Sequence, residues 1–153
     1  MAGTNAKYKD HKVRHVCIKR MSEDAVIPTR SNLTDAGYDL YVPHDFLIMP
    51  HTRSLVPTHI SMAIPDGYAG LIWDRSGLAV KKGLHRAAGV IDSGYRGEVM
   101  VCLWNLSDEE VHLRKGDRIA QIIFQALPQM TLVEVESLQP SKRDTGGFGS
   151  TGN

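Results

Sequence analysis

Apolar and polar residues alternate along most of this 153-residue chain, and helical periodicity is nearly absent. Alternation with a period of two is typical of β-strands that bury one face. The alternating apolar positions are Val16 and Ile18, Leu40 and Val42, Phe46 and Ile48, Ile60, Met62 and Ile64, Val111 and Leu113, and Val133 and Val135. The pattern therefore predicts an all-β protein built from many short strands.

Proline and glycine separate these segments. Pro43, Pro50, Pro57 and the sequence PDG at residues 65–67 bound short strands, and KGD at residues 115–117 predicts a hairpin turn. Many short strands with frequent turn signals favour a β-sandwich or a jelly-roll-like barrel.

Two segments depart from the alternation. The sequence EVMVCLWNL (residues 98–106) is apolar on both faces. It predicts a strand that is covered on both sides, either by the partner sheet or by another copy of the chain. The sequence SGLAVKKG (residues 76–83) predicts one short helix, with Ser76 as its N-cap and Gly83 at its end.

The composition indicates one domain without a strong overall charge. A chain of this length with 42% hydrophobic residues can form one core and is too short for two. Its 18 Lys and Arg residues against 17 Asp and Glu residues give a net charge of +1. No overall field attracts nucleic acid or an anionic membrane, so neither is expected as a partner.

The sequence carries no recognisable targeting or membrane segment. The opening MAGTNAKYKDHKVRH lacks the apolar core of a secretory signal, and no run of about 18 apolar residues occurs. We therefore expect a soluble, cytoplasmic protein. Cys17 and Cys102 are then expected to be reduced thiols, one in each of two strands.

Five polar or glycine-rich stretches interrupt the apolar pattern, and a β protein rarely needs all of them for folding. They are DAGYDL (residues 35–40), DRSGLA (74–79), GVIDSGYRGE (89–98), GDRIAQIIF (116–124) and the terminal KRDTGGFGSTGN (142–153). These stretches hold the candidate functional residues.

The second and fourth stretches carry groups that suit an anion. Arg75 offers a charged planar fork, Ser76 offers a hydroxyl, and the amides of Gly77 and Leu78 would face outward at a helix start. A helix cap beside a surface arginine would have the same sequence. Gln121 places an amide in an apolar strand, so it needs a polar partner, which could be a ligand or a group in the next strand.

In this order and at these spacings, the five stretches closely resemble the five motifs of the trimeric deoxyuridine triphosphate nucleotidohydrolases, the dUTPases. The resemblance runs through most of the chain. It implies a jelly-roll-like distorted β-barrel over residues 1–140 with one short helix. It also implies a flexible, glycine-rich C-terminal arm over residues 141–153 that closes over the active site.

The resemblance implies a reaction and an assembly. Water would attack the α-phosphorus of dUTP and release dUMP and pyrophosphate, with Mg²⁺ as the cofactor. This reaction keeps uracil out of DNA and supplies dUMP for thymidylate synthesis. The family's active sites are shared between the chains of a homotrimer, so a homotrimer is expected here.

The resemblance assigns the nucleoside end of dUTP to the third stretch. Asp92 would orient and activate the attacking water, and Tyr95 would pack on the deoxyribose so that a 2′-hydroxyl would clash. The backbone of the hairpin at Gly89, Val90 and Ile91 would pair with uracil. A tight turn that places Asp and Gly where turns favour them explains the backbone of this stretch equally well.

The phosphate end is assigned to other stretches. Arg75, Ser76, Gly77 and Gln121 would contact the triphosphate. Asp39 would support the magnesium through water, in agreement with the preference of this hard cation for carboxylate and water oxygens.

The terminal stretch would complete the site. Arg143 would pair with the γ-phosphate, Phe148 would lie over the uracil, and Gly149 and Ser150 would contact the substrate. An ordinary frayed end is the alternative explanation for so polar a segment.

The chain departs from the family pattern at two positions. Asp74 stands where the family usually has proline, and we expect its carboxylate to point away from the phosphates. Gly94 stands where the third motif often has Asp, but Asp92 matches the catalytic position. Neither change removes a required group.

Two other functions remain open. The dCTP deaminases and their bifunctional relatives resemble this chain over the central hairpin, but DRSGLA and the intact tail favour the hydrolase. A catalytically silent nucleotide sensor or a partner-binding trimer would have the same shell.

Overall fold

The computed structural model describes residues 14–146, and all but one of the regular elements in this range are β-strands. Phe148, Gly149 and Ser150 therefore lie outside the described residues. The strands are β1 Cys17–Arg20, β2 Tyr38–Tyr41, β3 Phe46–Ile48, β4 Arg53–Val56, β5 Ile60–Ala63, β6 Tyr68–Trp73, β7 Leu84–Ala87, β8 Val90–Ile91, β9 Val101–Asn105, β10 Val111–Leu113 and β11 Arg118–Ala126, and the helix is α1 Ser76–Lys82. The predicted fold class, all-β with one short helix, is confirmed.

The strands form four small antiparallel sheets. The largest has the order β2-β11-β6-β8, and a second has the order β4-β9-β7. Two further pairs are β1 with β5 and β3 with β10. Most neighbours in these sheets are distant in sequence, so the fold brings together side chains from different stretches of the chain.

One face of most strands builds the core. Leu40, Ile48, Ile60, Leu103 and Ile122 are fully buried, and each belongs to a different strand. Three of these five residues, Leu40, Ile48 and Ile60, lie in the predicted apolar alternation, which confirms the periodicity over the strands concerned.

Strand β9 is buried on one face only. Val101, Leu103 and Asn105 are buried, whereas Cys102 and Trp104 on the other face are partly exposed. The prediction of cover on both sides is therefore not met within one chain. A second copy of the chain remains the alternative for covering the outer face.

The KGD sequence forms a turn but not a hairpin. Gly116 has a φ of +85°, and its amide donates to Val42 O at 2.9 Å. Strand β10 pairs with β3, whereas β11 pairs with β2 and β6. The hairpin prediction was wrong because the turn directs its two strands into different sheets.

Helix α1 ends as predicted and begins one residue earlier than predicted. Gly83 closes it in the left-handed conformation, with a φ of +64°. The N-cap position is Arg75, in extended conformation and without a side-chain cap bond, so Ser76 is already the first helical residue. The prediction of Ser76 as N-cap was wrong.

The chain after β11 crosses the surface without regular structure as far as residue 146. Val133 and Val135 are exposed, so the strand predicted around them is not formed: no strand of the described chain pairs with this segment. Residues 127–140 carry several exposed apolar side chains, among them Leu132 and Leu138, which are 95% and 87% exposed. We call these residues the apolar segment. The predicted domain boundary at residue 140 stays a prediction.

Two smaller expectations concern location and thiols. Among residues 14–146, no helix has the length and apolar character that a membrane crossing needs. The cytoplasmic location stays a prediction. Cys17 in β1 and Cys102 in β9 are both free, which agrees with the predicted reduced thiols in two different strands.

Candidate active site

Three of the polar stretches meet around one open pocket of about 350 Å³, which we call the arginine pocket. It is lined by Arg30, Ser31, Asp35, Ala36, Gly37, Asp39, Arg75, Ser76, Gly77, Arg118 and Gln121. Three guanidinium groups around one cavity favour a ligand with several negative charges, because each can donate paired hydrogen bonds to phosphate oxygens.

The register of the largest sheet explains why these stretches meet. Strand β11 lies between β2 and β6. Gln121 of β11 is opposite Asp39 of β2 on one side and opposite Trp73, the last residue of β6, on the other. Since Arg75 follows only two residues after Trp73, three distant parts of the sequence share one edge of the sheet.

Asp39 organises two of the arginines. Its Oδ1 lies 2.8 Å from Nε of Arg75 and its Oδ2 lies 3.2 Å from Nη1 of Arg118. The Asp39 side chain is only 15% exposed, so water screens these pairs less than it would at an open surface. Both guanidinium groups are thereby held at the pocket before any ligand arrives.

The side chains of the arginine pocket suit a metal ion that arrives bound to the ligand, rather than one that is enclosed by the protein. Among residues 14–146, no group of three or more His, Cys, Asp or Glu side chains could enclose an ion. Two carboxylates, Asp35 and Asp39, line the pocket, and both oxygens of Asp39 already pair with arginines. Such a lining suits Mg²⁺ that keeps most of its waters and binds substrate phosphates.

Gln121 has its polar partner within the chain. Its Nε2 donates to the backbone carbonyl of Asp74 at 2.9 Å. Gly37 packs against the other end of the amide: a Cβ at Gly37 would lie 2.3 Å from Oε1 of Gln121. The amide is therefore fixed between two neighbouring strands at the wall of the pocket.

The start of α1 supplies fewer outward amides than predicted. The Leu78 amide donates to the carbonyl of Arg75 at 2.9 Å, so it is not available to an anion. Ser76 and Gly77 do line the pocket. The prediction for the Leu78 amide was wrong because the first helical turn already uses it.

Asp74 points away from the arginine pocket, as predicted. Its Oδ2 lies 2.6 Å from Nδ1 of His85, and its Oδ1 accepts a hydrogen bond of 2.7 Å from the Arg86 amide. Both partners belong to β7. The carboxylate thus neither pairs with Arg75 nor lines the arginine pocket.

The third polar stretch forms a second cavity of about 270 Å³, the hairpin pocket. It is lined by Leu55, Val90, Ile91, Asp92, Tyr95, Glu98 and Met100. Apolar walls with a tyrosine and two acidic residues, of which Glu98 already accepts from two backbone amides, suit a flat, mostly apolar group that carries a few polar atoms.

Hydrogen bonds within residues 89–98, which we continue to call the hairpin, fix the shape of the turn, whereas its two arms bond to other strands, Val90 and Ile91 to β6 and Glu98 to Ser61 of β5. The Tyr95 amide donates to the Asp92 carbonyl at 3.1 Å, and the Tyr95 hydroxyl donates to the Glu98 carbonyl at 2.9 Å. The carboxylate of Glu98 in turn accepts from the amides of Thr58 and His59 at 3.1 and 2.8 Å. The hairpin is thereby tied to the chain segment before β5.

The start of the hairpin is joined to the largest sheet. Val90 and Ile91 form β8 and pair with Leu71 and Gly70 of β6. Gly89 has a φ of +120°, and its carbonyl accepts from the Ile72 amide at 2.8 Å. That backbone conformation strains any residue with a side chain, which explains the glycine.

Comparison with known proteins decides the family. The family model described as dUTPase matches residues 23–152, which include the first four polar stretches and all but the last residue of the fifth. The chain belongs to the dUTPase family. A curated deoxyuridine 5'-triphosphate nucleotidohydrolase of Mus musculus is 47% identical over 133 residues, covering 87% of this chain and 82% of the mouse protein.

Solved dUTPase structures are also similar. The dUTPase of Staphylococcus bacteriophage 80alpha with dUpNHpp superposes with a TM-score of 0.86 and 28% identity, covering 92% of this chain and all of the phage chain. A mutant dUTPase from phage phi11 of S. aureus, whose structure describes a coordinated structural Mg(II) ion, gives a TM-score of 0.76 and 26% identity over 81% of this chain and 98% of that chain.

A single chain of this dUTPase does not gather all the predicted site residues. Arg75, Ser76, Gly77, Gln121 and Asp39 line the arginine pocket. Asp92, Tyr95, Val90 and Ile91 line the hairpin pocket, and no residue lines both cavities. The exposed Arg143 lines neither, and its Nε donates to the Gly146 carbonyl at 2.8 Å.

The structure adds residues that the sequence prediction had missed. Arg30 and Arg118 line the arginine pocket, Gly37 supports Gln121, and Glu98 supports Tyr95. Three of them lie inside the five polar stretches, so their neighbours gave a signal. Arg30 lies outside the stretches, and a lone arginine in a loop gives none.

Proposed function

We propose that this chain hydrolyses dUTP to dUMP and pyrophosphate. The observation that carries the proposal is the match of the dUTPase family model across residues 23–152, together with two pockets of complementary chemistry. One pocket presents cations to a phosphate chain, and the other presents apolar walls and polar backbone to a nucleoside.

The arginine pocket is assigned to the triphosphate. Arg75 donates to phosphate oxygens, and Ser76, the Gly77 amide and Gln121 add neutral donors. Arg75 is already held by Asp39 at 2.8 Å, so little side-chain entropy is lost when the ligand arrives. Charge that develops on the phosphate oxygens during hydrolysis then meets fixed donors.

The hairpin pocket is assigned to the nucleoside and the attacking water. The Asp92 carboxylate accepts a hydrogen bond from water, which orients that water toward the α-phosphorus, and takes its proton as the water attacks. The backbone at Gly89, Val90 and Ile91 pairs with the edge of uracil. Tyr95 packs on the deoxyribose and leaves no space for a 2′-hydroxyl.

Asp39 is assigned to the support of Mg²⁺ through water, with the ion carried on the triphosphate. When bound, the ion neutralises charge on the phosphate oxygens. Asp39 keeps Arg75 and Arg118 in place at the same time. Its position inside the arginine pocket supports this assignment.

The active sites are assigned to a homotrimer in which different chains supply different parts. The separation of the two pockets within one chain and the exposure of the apolar segment both support this arrangement. The terminal arm completes each site: Arg143 pairs with the γ-phosphate, Phe148 covers the uracil, and Gly149 and Ser150 lie against the substrate. In a cell, this reaction keeps uracil out of DNA and supplies dUMP for thymidylate synthesis.

One assay tests the reaction against its alternatives. Pure protein is incubated separately with dUTP and with dCTP in the presence of Mg²⁺. Release of dUMP and pyrophosphate from dUTP supports the proposal, and loss of activity with EDTA supports the metal. Ammonia released from dCTP would indicate a deaminase, and binding of either nucleotide without turnover would indicate a silent nucleotide sensor.

A further inference from the structure

Asp74 lies at the junction between β6 and α1 and makes bonds in two directions. Its carboxylate binds β7, through His85 Nδ1 at 2.6 Å and the Arg86 amide at 2.7 Å. Its backbone carbonyl accepts from Gln121 Nε2 at 2.9 Å. One residue therefore connects β7 to the wall of the arginine pocket.

Few other contacts hold the backbone between β6 and α1 in place. Helix α1 contains no buried residue, and its N-cap position, Arg75, makes no side-chain cap bond. The Arg75 side chain is used instead for the pair with Asp39. Leu78 packs partly buried against the core, but Ser76 and Gly77 before it are exposed, so their position depends largely on the backbone that leads into them.

Strand β7 is a firm base for this connection. The Arg86 guanidinium lies over the Trp73 ring, 4.8 Å from its centroid, and its Nη1 donates to the Ala88 carbonyl at 2.7 Å. His85 and Arg86 also pair with β9 within the second sheet. The bonds from Asp74 therefore join the junction to an ordered strand rather than to a loop.

We propose that Asp74 is a positioning residue for the triphosphate, acting through its bonds to His85 and the Arg86 amide. The bonds hold the Asp74 carbonyl under Gln121 and direct Arg75, Ser76 and Gly77 into the arginine pocket. This inference rests on the proposed function. Since no bond of Asp74 reaches the hairpin pocket, its loss should weaken triphosphate binding and leave nucleoside monophosphate binding unchanged.

The test compares two ligands on one set of variants. Calorimetry measures the Kd of dUpNHpp and of dUMP for the full-length protein and for Asp74→Ala. We expect dUpNHpp to bind about tenfold more weakly to Asp74→Ala, as is typical when a charged hydrogen-bond acceptor is lost, while the Kd of dUMP changes less than about twofold. The KM for dUTP should rise with the Kd of dUpNHpp.

Two further variants separate positioning from general stability. Asp74→Asn keeps an oxygen that can accept from the Arg86 amide and an amide that can donate to His85, so it should restore most of the dUpNHpp affinity. His85→Ala removes a partner whose side chain is 58% exposed, and we expect about a threefold loss for dUpNHpp. This variant also carries the test if Asp74→Ala does not fold.

A matched control is available in a similar pair elsewhere. Asp108 pairs with His51 at 3.0 Å and lines neither pocket, so Asp108→Ala should bind both ligands as the unchanged protein does. Unchanged dUpNHpp affinity in Asp74→Ala, or equal losses for dUpNHpp and dUMP, would overturn the positioning role alone. An unchanged protein that binds neither ligand would overturn this role and the proposed function together.

Discussion

Two glycines in the candidate site are explained by the side chains that they touch. A Cβ at Gly37 would lie 2.3 Å from Oε1 of Gln121, and a Cβ at Gly97 would lie 2.4 Å from the hydroxyl oxygen of Tyr95. Neither glycine has a positive φ. Each is required by close approach rather than by backbone conformation, so each helps to fix the direction of a site side chain.

At the residue scale, Tyr95 should set the preference for deoxyribose. We expect Tyr95→Ala to raise the kcat/KM for UTP relative to that for dUTP, because the ring that excludes a 2′-hydroxyl is gone. Tyr95→Phe is the matched control, since it keeps the ring and loses only the 2.9 Å hydrogen bond to the Glu98 carbonyl. Equal sugar selectivity in Tyr95→Ala and Tyr95→Phe would assign this role to another residue.

At the element scale, the turn at residues 114–117 is held by carboxylates from an earlier part of the chain. Asp45 accepts from the Lys115 amide at 2.9 Å and pairs with Arg114 at 2.9 Å, and Asp24 pairs with the Lys115 ammonium. The Lys115 amide and the Arg114 guanidinium hold the pKa of Asp45 below its ordinary value of 3.8, and Lys115 lowers the pKa of Asp24. The charged form of each carboxylate therefore stabilises the folded state.

This linkage predicts a pH dependence. Since the pKa of Asp45 is lower in the folded state, its contribution is complete above about pH 4 and is lost as the pH falls through the folded pKa. Asp45→Ala should lower the urea midpoint at pH 7, and the difference from the unchanged protein should shrink below about pH 4. Asp66→Ala, in an exposed turn, is the control. A difference that stays constant down to pH 2 would contradict the assignment.

The positions of the strands could be predicted from the sequence, but their pairing could not. Alternation located most strands because burial on one face acts residue by residue. It could not identify the partner of each strand: β10 comes just before the turn-forming KGD, yet its partner is not the strand after that turn but β3, more than 60 residues earlier. The predicted hairpin failed for this reason.

In the candidate site too, local features were predictable and contacts between distant strands were not. The residue types in the second stretch predicted Arg75, Ser76 and Gly77 around one anion, the resemblance to the dUTPases added Gln121, and the structure places all four at one pocket. The pairing of Asp39 with two arginines depends on the register of β2 and β11, which no local pattern contains.

At the scale of the whole molecule, the separation of the two pockets predicts complementation between defective chains. Asp92→Asn loses the general base and Arg75→Ala loses a fixed donor to the phosphates, so each should be nearly inactive alone, with rates lowered by about 10² or more. After the two variants are unfolded together and refolded as mixed trimers, about a quarter of the sites should combine an intact hairpin with an intact arginine pocket from different chains. The measurement is dUTP turnover of the mixture.

Controls for this mixing experiment come from the same proteins. Each variant refolded alone gives the baseline, and the two variants mixed without unfolding show whether chains exchange. Turnover that stays at the baseline after co-refolding would contradict shared sites, as would sedimentation of the fully active protein as a monomer.

The terminal arm supplies a second prediction at this scale. Described residues 141–146 are almost all exposed and make only local hydrogen bonds, such as that between Arg143 and Gly146. A variant that ends at Lys142 should therefore keep its Tm and its affinity for dUMP but lose most dUTP hydrolysis, because Arg143 and Phe148 are absent. Full activity of this variant would make the arm an ordinary chain end.

The exposed apolar segment has a consequence for how the protein responds to dilution. Leu132 and Leu138 stand almost fully in water in a single chain, and covering such a side chain contributes about 1.5–3 kcal/mol. If a protein covers these side chains only by association, the free energy of unfolding depends on the protein concentration. Its thermal unfolding should move to higher temperature as the sample is concentrated, whereas a self-sufficient monomer melts at one temperature throughout.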